Sequence, residues 1–315
     1  MNATSHPVAV GGSVVVLGSV NLDTSLRVSR LPLEGETIVA LDTRSGLGGK
    51  GANQAVAAAR AGARVTLLAA IGSDDRAVQL RRVLASFGID LAHLLVIDGA
   101  SGAATILVSD EGENVIVVTP GSNSAVLPGY LDLRDEVITN SSVLVLQGEI
   151  PAITVRAAIA RARRARTRVV LNLAPYLEIG DALTGADPLV VNEVEASQLV
   201  GAAVTTIEQA IEAARELTGR AKSVVITLGA DGAVLASDGH AIHYPAVAVD
   251  TISDSTGAGD AFVGVLAACL AGGGTLADAL PVALHAGALA VQSAGAAEGY
   301  PDFRPLFSHD MEVAR

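Results

Sequence analysis

The sequence predicts an α/β fold in which a mostly parallel sheet is covered by helices on both faces. Three observations point there. After Pro128 short apolar strands (143–146, 169–171, 189–191, 224–227) alternate with helices near 153–164, 195–200 and 207–217. Such alternation marks helical crossovers between parallel strands. Half of the residues are hydrophobic and the chain has 315 residues, enough to bury one large core. Finally, the β-rich pieces at 20–45 and 100–120 break the alternation. They suit a small separate sheet over one edge of the main domain.

The elements follow in order. The first dozen residues, with the Gly11-Gly12 pair, read as a loose tail. A buried strand at 14–17 leads into Gly18-Ser19-Val20-Asn21-Leu22-Asp23, and a more polar β-like stretch at 36–45 ends in Gly46-Leu47-Gly48-Gly49. A helix over about 50–61 is stopped by Gly62. A strand at 65–70, a helix near 77–87 and three β-like runs (94–97, 104–108, 115–118) come next, with a hairpin turn at 110–114. His240 and His243 fall on an edge strand, Asp250 ends a later strand, and an apolar helix occupies 261–270. Ligands of open α/β sheets bind beyond the carboxyl ends of the strands. Asn21, Asp23, Glu149, Asn192 and Gly229 all follow predicted strands and are candidates to converge there.

Composition narrows the function. A net charge of −12 argues against nucleic acid or an anionic membrane as partner. The basic cluster at 161–168 reads as the solvated end of a helix. Cys269 is the single cysteine and sits among alanines in an apolar helix, so no disulfide framework exists. No apolar run reaches the length of a membrane span, and the expected location is the cytoplasm. The six histidines do not cluster at metal-ligand spacing.

The segment Asp254-Ser255-Thr256-Gly257-Ala258-Gly259-Asp260-Ala261-Phe262 is the most informative. Unpaired N–H groups and the positive end of the macrodipole make a glycine-rich helix start an anion site. A carboxylate there would repel a phosphate. Asp260 makes sense if it takes a proton from a hydroxyl while the N–H groups of Gly257, Ala258 and Gly259 stabilise transferring phosphoryl oxygens; a glycine-rich cap with an acidic first turn is the plainer alternative.

Gly46-Leu47-Gly48-Gly49-Lys50-Gly51 matches G-x-G-x-x-G but lacks the context of a dinucleotide fingerprint and the spacing of a P-loop. It reads instead as a tight turn that points Lys50 and Asn53 into a pocket. Lys50 and Lys222 are the only lysines among 21 basic residues, which favours a specific role for Lys50. Asn21, Asp23, Asn53 and Glu149 supply acceptors and amide donors suited to vicinal hydroxyls, although Asn21 and Asp23 also fit a turn cap. In Asn192-Glu193-Val194-Glu195 one or both carboxylates could hold a magnesium–water shell, or simply satisfy a helix dipole. Thr227-Leu228-Gly229-Ala230-Asp231-Gly232 fits a nucleotide contact or a plain turn.

Taken in order and spacing, these motifs resemble the ribokinase family of sugar kinases over nearly the whole chain. The carriers are the two segments at 18–23 and 48–55, Gly112-Glu113-Asn114, Gly121-Ser122-Asn123, Gln147-Gly148-Glu149, Asn192 to Glu195, and Asp254 to Phe262. The resemblance implies a three-layer αβα core over 13–310, lid segments at about 20–48 and 98–120, a flexible tail at 1–12, and a homodimer formed through the lid. It implies D-ribose and ATP as substrates, with Mg2+ and K+ as cofactors and transfer to the sugar O5. Asn21, Asp23, Gly49, Lys50, Asn53, Glu149 and Asp260 would hold the sugar, Asp260 also acting as base beside the anion hole of Gly257, Ala258 and Gly259. Asn192, Glu195, Thr227, Gly229, Gly232 and Gly259 would serve ATP, with Glu195 reaching magnesium through water and His285 near the adenine. Asp254 and the carbonyls of Thr256, Ala290, Ser293, Gly295 and Gly299 would bind the monovalent cation. The alternatives are a kinase of another pentose, a ketohexose or a nucleoside, a non-catalytic sugar or nucleotide sensor, and, more distantly, a nicotinamide oxidoreductase.

Overall fold

Short Val- and Leu-rich strands, buried along nearly their whole length, set the architecture. The computed structural model describes residues 11–307. Its strands are β1 (Ser13–Leu17), β2 (Asn21–Val28), β3 (Asp42–Gly48), β4 (Arg64–Leu68), β5 (Ala70–Ile71), β6 (Leu95–Val96), β7 (Ala103–Ser109), β8 (Asn114–Thr119), β9 (Val143–Gln147), β10 (Arg168–Asn172), β11 (Leu189–Asn192), β12 (Ser223–Thr227), β13 (Ala233–Ser237) and β14 (His240–Tyr244). Its helices are α1 (Lys50–Arg60), α2 (Asp75–Ser86), α3 (Pro128–Asp132), α4 (Asp135–Thr139), α5 (Ala152–Ala165), α6 (Glu193–Val200), α7 (Ile207–Leu217), α8 (Ala258–Ala271) and α9 (Leu276–Ala290).

Eight strands form the main sheet in the order β14-β13-β12-β11-β10-β9-β1-β4. The six from β12 to β4 are parallel, and β13 and β14 close one edge antiparallel. Successive side chains of a strand face opposite sides. Val14 and Val16 of β1 therefore join a core layer with α1, α8 and α9, while Val15 and Leu17 join the opposite layer with α5 and α7. Both faces are covered, as expected of parallel strands. Gly12 belongs to this body rather than to a tail, because its carbonyl accepts the N–H of Arg64. The remaining tail residues, 1–10, and residues 308–310 lie outside the described part.

A second sheet, β3-β2-β7-β8, stands at the carboxyl end of β1. Three residues separate β1 from β2, so the second sheet grows directly out of the carboxyl edge of the core. The expected strand at 36–45 is shifted: β3 starts only at Asp42. Residues 30–36 turn instead, with Arg30 pairing to Glu36 and Glu36 also accepting the Leu33 N–H at 2.9 Å. Asp250 does not end a strand, since β14 stops at Tyr244 and Pro245 follows. In the basic cluster Arg163, Arg164 and Arg166 are exposed, whereas Arg161 pairs with Asp132 and Asp135 and Arg168 with Asp187.

Candidate active site

The site is assembled where α1 and α8 meet at the carboxyl ends of β1, β9 and β10. Gly264 of α8 has no side chain to hold α1 off, and a Cβ there would press on Ala57 and the Gln54 carbonyl. The close approach brings Asn53 and Gln54, successive residues of α1, onto Asp260 from adjacent directions. Asn53 Nδ2 donates to Asp260 Oδ2 at 3.0 Å, and Gln54 Nε2 donates to Oδ1 at 2.9 Å. Gln54 is itself fixed, donating to Asn172 Oδ1 at 2.9 Å and accepting from Gln147 Nε2 at 2.8 Å. Asp260 is 6% exposed, so its carboxylate is pre-aimed rather than solvated.

The helix starts earlier than its apolar pattern predicts. α8 begins at Ala258 with Gly257 as N-cap, which puts Asp260 inside the first turn. The apolar run at 261–270 marks only the buried part, because the glycines and Asp260 carry no hydrophobic signal. Among the described residues the N–H groups of Gly257, Gly259 and Asp260 meet no acceptor. The Ala258 N–H makes only a long 3.3 Å bond to the Ser255 carbonyl.

Facing Asp260 is Lys50, the first residue of α1. The Asp260 charge, opposed by burial and helped by Glu149 and Glu195, raises its ammonium above the usual lysine range. Glu149 Oε2 accepts the Lys50 N–H at 2.9 Å and the Ser19 hydroxyl. Gly49 caps α1 at φ 85, a conformation in which a side chain would also press on Ser19 and Asn21 backbone. Asn21 and Asp23 follow β1 as expected and themselves lie within β2. Asn21 Oδ1 accepts from Asn123 Nδ2 at 2.8 Å, and Asp23 Oδ1 accepts the Ala104 N–H at 2.9 Å. Burial, reinforced by the negative Glu149 and opposed by hydrogen bonds from Ala104 and Asn21, pushes Asp23 up to about 6. The structure thus gathers all seven residues expected around a polyol.

The other end is built mostly from backbone, with one side-chain cap. Asn192 and Glu195 form a reciprocal capping box at the start of α6: Asn192 Oδ1 accepts the Glu195 N–H at 2.9 Å, and Glu195 Oε2 accepts the Asn192 N–H at 2.8 Å. Burial raises the Glu195 carboxyl, partly offset by the Asn192 N–H and by Lys50. Thr227 is the register partner of Asn192 at the end of β12, and Gly229 and Gly232 follow at φ 54 and 92. His285 is half-buried on α9, two residues from Gly287, which packs on the Ala258 carbonyl and Phe262. That offset of about 200° turns His285 to another face of α9.

Two loops meet beside the start of α8. The Asp254 carboxylate accepts the Thr256 N–H at 2.9 Å and the Gly295 N–H at 3.0 Å. Although burial opposes it, these bonds hold the carboxyl below the usual range. The Val291 carbonyl accepts the N–H groups of Ser253 and Asp254, the Ala290 carbonyl that of Ser293, and a Cβ on Gly299 would press on the Ala294 carbonyl beside Ser293. All six residues expected at a cation site therefore share this junction, with no cluster of three or more His, Cys, Asp or Glu among the described residues.

Residues 12–302 match the description pfkB family carbohydrate kinase. The chain belongs to this family. It is a sugar kinase, a phosphotransferase. The kinase is 36% identical to a mouse ribokinase over 308 residues, covering 92% of each chain, and 34% identical to a Salmonella typhi deoxyribokinase over 292 residues, covering 91% of this chain and 95% of that one. A solved Arabidopsis thaliana ribokinase complexed with ribose and ATP superposes at TM-score 0.88 and 29% identity, covering 94% of this chain and 97% of the other.

Several residues that shape the kinase site went unsingled by sequence reasoning. Gln54, Gln147 and Asn172 form the relay behind Asp260. Gln54 and Gln147 stand inside motifs that carry the resemblance, so the signal was present without an assigned role. Asn172, Tyr300 and Glu298 carry no local motif; only the fold brings them in. Tyr300 donates to the Gly257 carbonyl at 2.6 Å, and Glu298 Oε1 accepts the Leu47 N–H of the lid at 2.7 Å.

Proposed function

We propose that this kinase transfers the γ-phosphoryl group of ATP to the O5 hydroxyl of D-ribose, with Asp260 as the base. The observation that carries the proposal is a buried carboxylate, held by two amides, one step from free N–H groups at a helix start. Two donors leave each Asp260 oxygen a further lone pair for a hydroxyl proton. The O5–P bond would form as the bond from the γ-phosphorus to the β–γ bridging oxygen breaks. ADP leaves, and the O5 proton passes to Asp260. The N–H groups at Gly257, Ala258 and Gly259, together with that of Asp260, would face the developing phosphoryl charge, and Lys50 would add its own.

Asn21, Asp23, Gly49, Lys50, Asn53 and Glu149 would bind the sugar hydroxyls and orient O5. Asn192, Glu195, Thr227, Gly229, Gly232 and His285 would take the nucleotide, Glu195 reaching a magnesium ion through water. Magnesium would neutralise phosphate charge. The junction of Asp254 with Thr256, Ala290, Ser293, Gly295 and Gly299 offers one carboxylate amid loop carbonyls, a donor set suited to potassium, which would lend positive charge beside α8. The lid over 20–48 and 98–120 would exclude water, since an open site would hydrolyse ATP. Its edge strand β8 exposes Val115, Ile116, Val117 and Val118, which supports a homodimer through the lid. No helix among the described residues is long and apolar enough to cross a membrane, and we place the enzyme in the cytoplasm.

The deoxyribokinase relative favours 2-deoxyribose as a second reading, because the two sugars present the same O5. ADP release with ATP and magnesium, across D-ribose, 2-deoxyribose, D-fructose and adenosine, in potassium and then sodium, separates them. Ribose-dependent release that rises with potassium is expected. Release only with another sugar overturns the substrate, and none with any overturns the proposal.

A further inference from the structure

Tyr300 is 2% exposed, and its hydroxyl donates to the carbonyl of Gly257 at 2.6 Å. Burial first, and the Asp260 charge second, raise the phenol well above its usual range, so it remains a donor at any working pH. The same carbonyl accepts the Ala261 N–H at 2.8 Å, the first backbone bond of α8. Gly257 lies at φ 80, and a Cβ there would meet the Tyr300 hydroxyl at 2.6 Å and Ala296 Cβ at 2.8 Å. Glycine is needed both for the backbone conformation and for the approach of the phenol.

The Gly257 carbonyl and the Ala258 N–H belong to one planar trans peptide and point opposite ways. Holding the oxygen therefore aims the nitrogen. The nitrogen end is weakly held, by the 3.3 Å bond to Ser255, so the carbonyl bonds decide the plane. Gly259 and Asp260 follow in the same turn and inherit its direction. The loop bearing Tyr300 is anchored in turn, by Gly295 to Asp254 and by Glu298 to Leu47 of the lid.

We propose that Tyr300 is a positioning residue that orients the first peptide of α8, through the Gly257 carbonyl, toward the transferring phosphoryl oxygens. The inference rests on the assignment of this turn as the anion hole. Tyr300→Phe removes the hydroxyl and keeps the ring against Phe303, whose centroid is 6.0 Å away. Loss of a direct oxyanion donor costs about 10²–10³ in kcat, and an indirect one should cost about tenfold. The KM values for sugar and ATP should hold. Affinity for ADP with aluminium fluoride and ribose should fall by the same factor as kcat, with ADP affinity alone unchanged. Tyr300→Met also lacks the donor and must show the same loss if Tyr300→Phe fails to fold. Wild-type kcat and wild-type aluminium fluoride affinity in either folded variant overturn the proposal. Asp260→Asn in parallel separates the two levels. An inactive Asp260→Asn beside an unaffected Tyr300→Phe removes only the role of Tyr300, whereas an active Asp260→Asn removes the reading beneath it.

Discussion

The two ends of the active cleft are built from different materials. Around Asp260 the protein commits buried side chains, linked amide to carboxylate through Asn53, Gln54, Gln147 and Asn172. Around Asn192 and Thr227 it commits mostly backbone: a strand end, two glycines at positive φ, and a helix start capped by the Asn192 and Glu195 side chains. A buried polar network holds one geometry and costs heavily when one member is lost. Backbone turns accept a ligand's phosphates and ribose with few demands on side-chain identity. The proposed sugar end should therefore govern turnover and the proposed nucleotide end should govern affinity for ATP.

The largest expected effect is at the proposed base. Asp260→Asn should lower kcat by about 10²–10⁴ while ribose affinity, measured by calorimetry, barely changes. A residue behind the base should come next. Gln54→Leu leaves Asp260 short of a donor and strands the Gln147 amide, and a misaimed catalytic group can cost about 10²-fold. The same change should lower the melting temperature, since an orphaned buried polar group costs about 1–3 kcal/mol. Normal turnover in that variant would mean that the relay is structural only.

Asp23 sharpens the comparison by pH. It is raised to about 6 from an ordinary value of 3.8, so between those values the folded state keeps a proton that the unfolded state has released. Its contribution to stability therefore falls as pH rises through that window. Sugar binding runs the other way, because only the carboxylate accepts two hydroxyls. The kcat/KM for ribose should rise through pH about 6. In Asp23→Asn that limb should vanish and the sugar KM should increase.

At the nucleotide end the effects are smaller. Asn192→Ala removes the α6 cap, worth about 1 kcal/mol of stability, and should raise the KM for ATP with kcat nearly intact. A collapse of kcat there would break the proposed division. Smallest for turnover is Val117→Glu on β8, which should dissociate the proposed dimer in sedimentation while leaving kcat close to normal.

Much of this was legible in the residues. The main-sheet strands between 143 and 227 and helix α7 stand out because parallel strands are apolar throughout and helices are periodic. Asp260 stands out because a carboxylate would repel a phosphate at an anion site, and Lys50 because lysine is scarce in this chain. What was not legible depends on long-range approach. β13 and the start of β2 are short and locally ambiguous, and Asn172 becomes a partner of Gln54 only because β10 lies beneath α1 and α8. Tyr300 looks like an isolated aromatic until the chain end returns to Gly257.

The most direct test is the identity of the product. Phosphorus NMR of the reaction with ATP and D-ribose reads which hydroxyl the side-chain end delivers to Asp260. A single phosphomonoester coupled to the C5 protons is expected, formed together with ADP and absent with Asp260→Asn. Phosphate on O1, or inorganic phosphate alone, would contradict it.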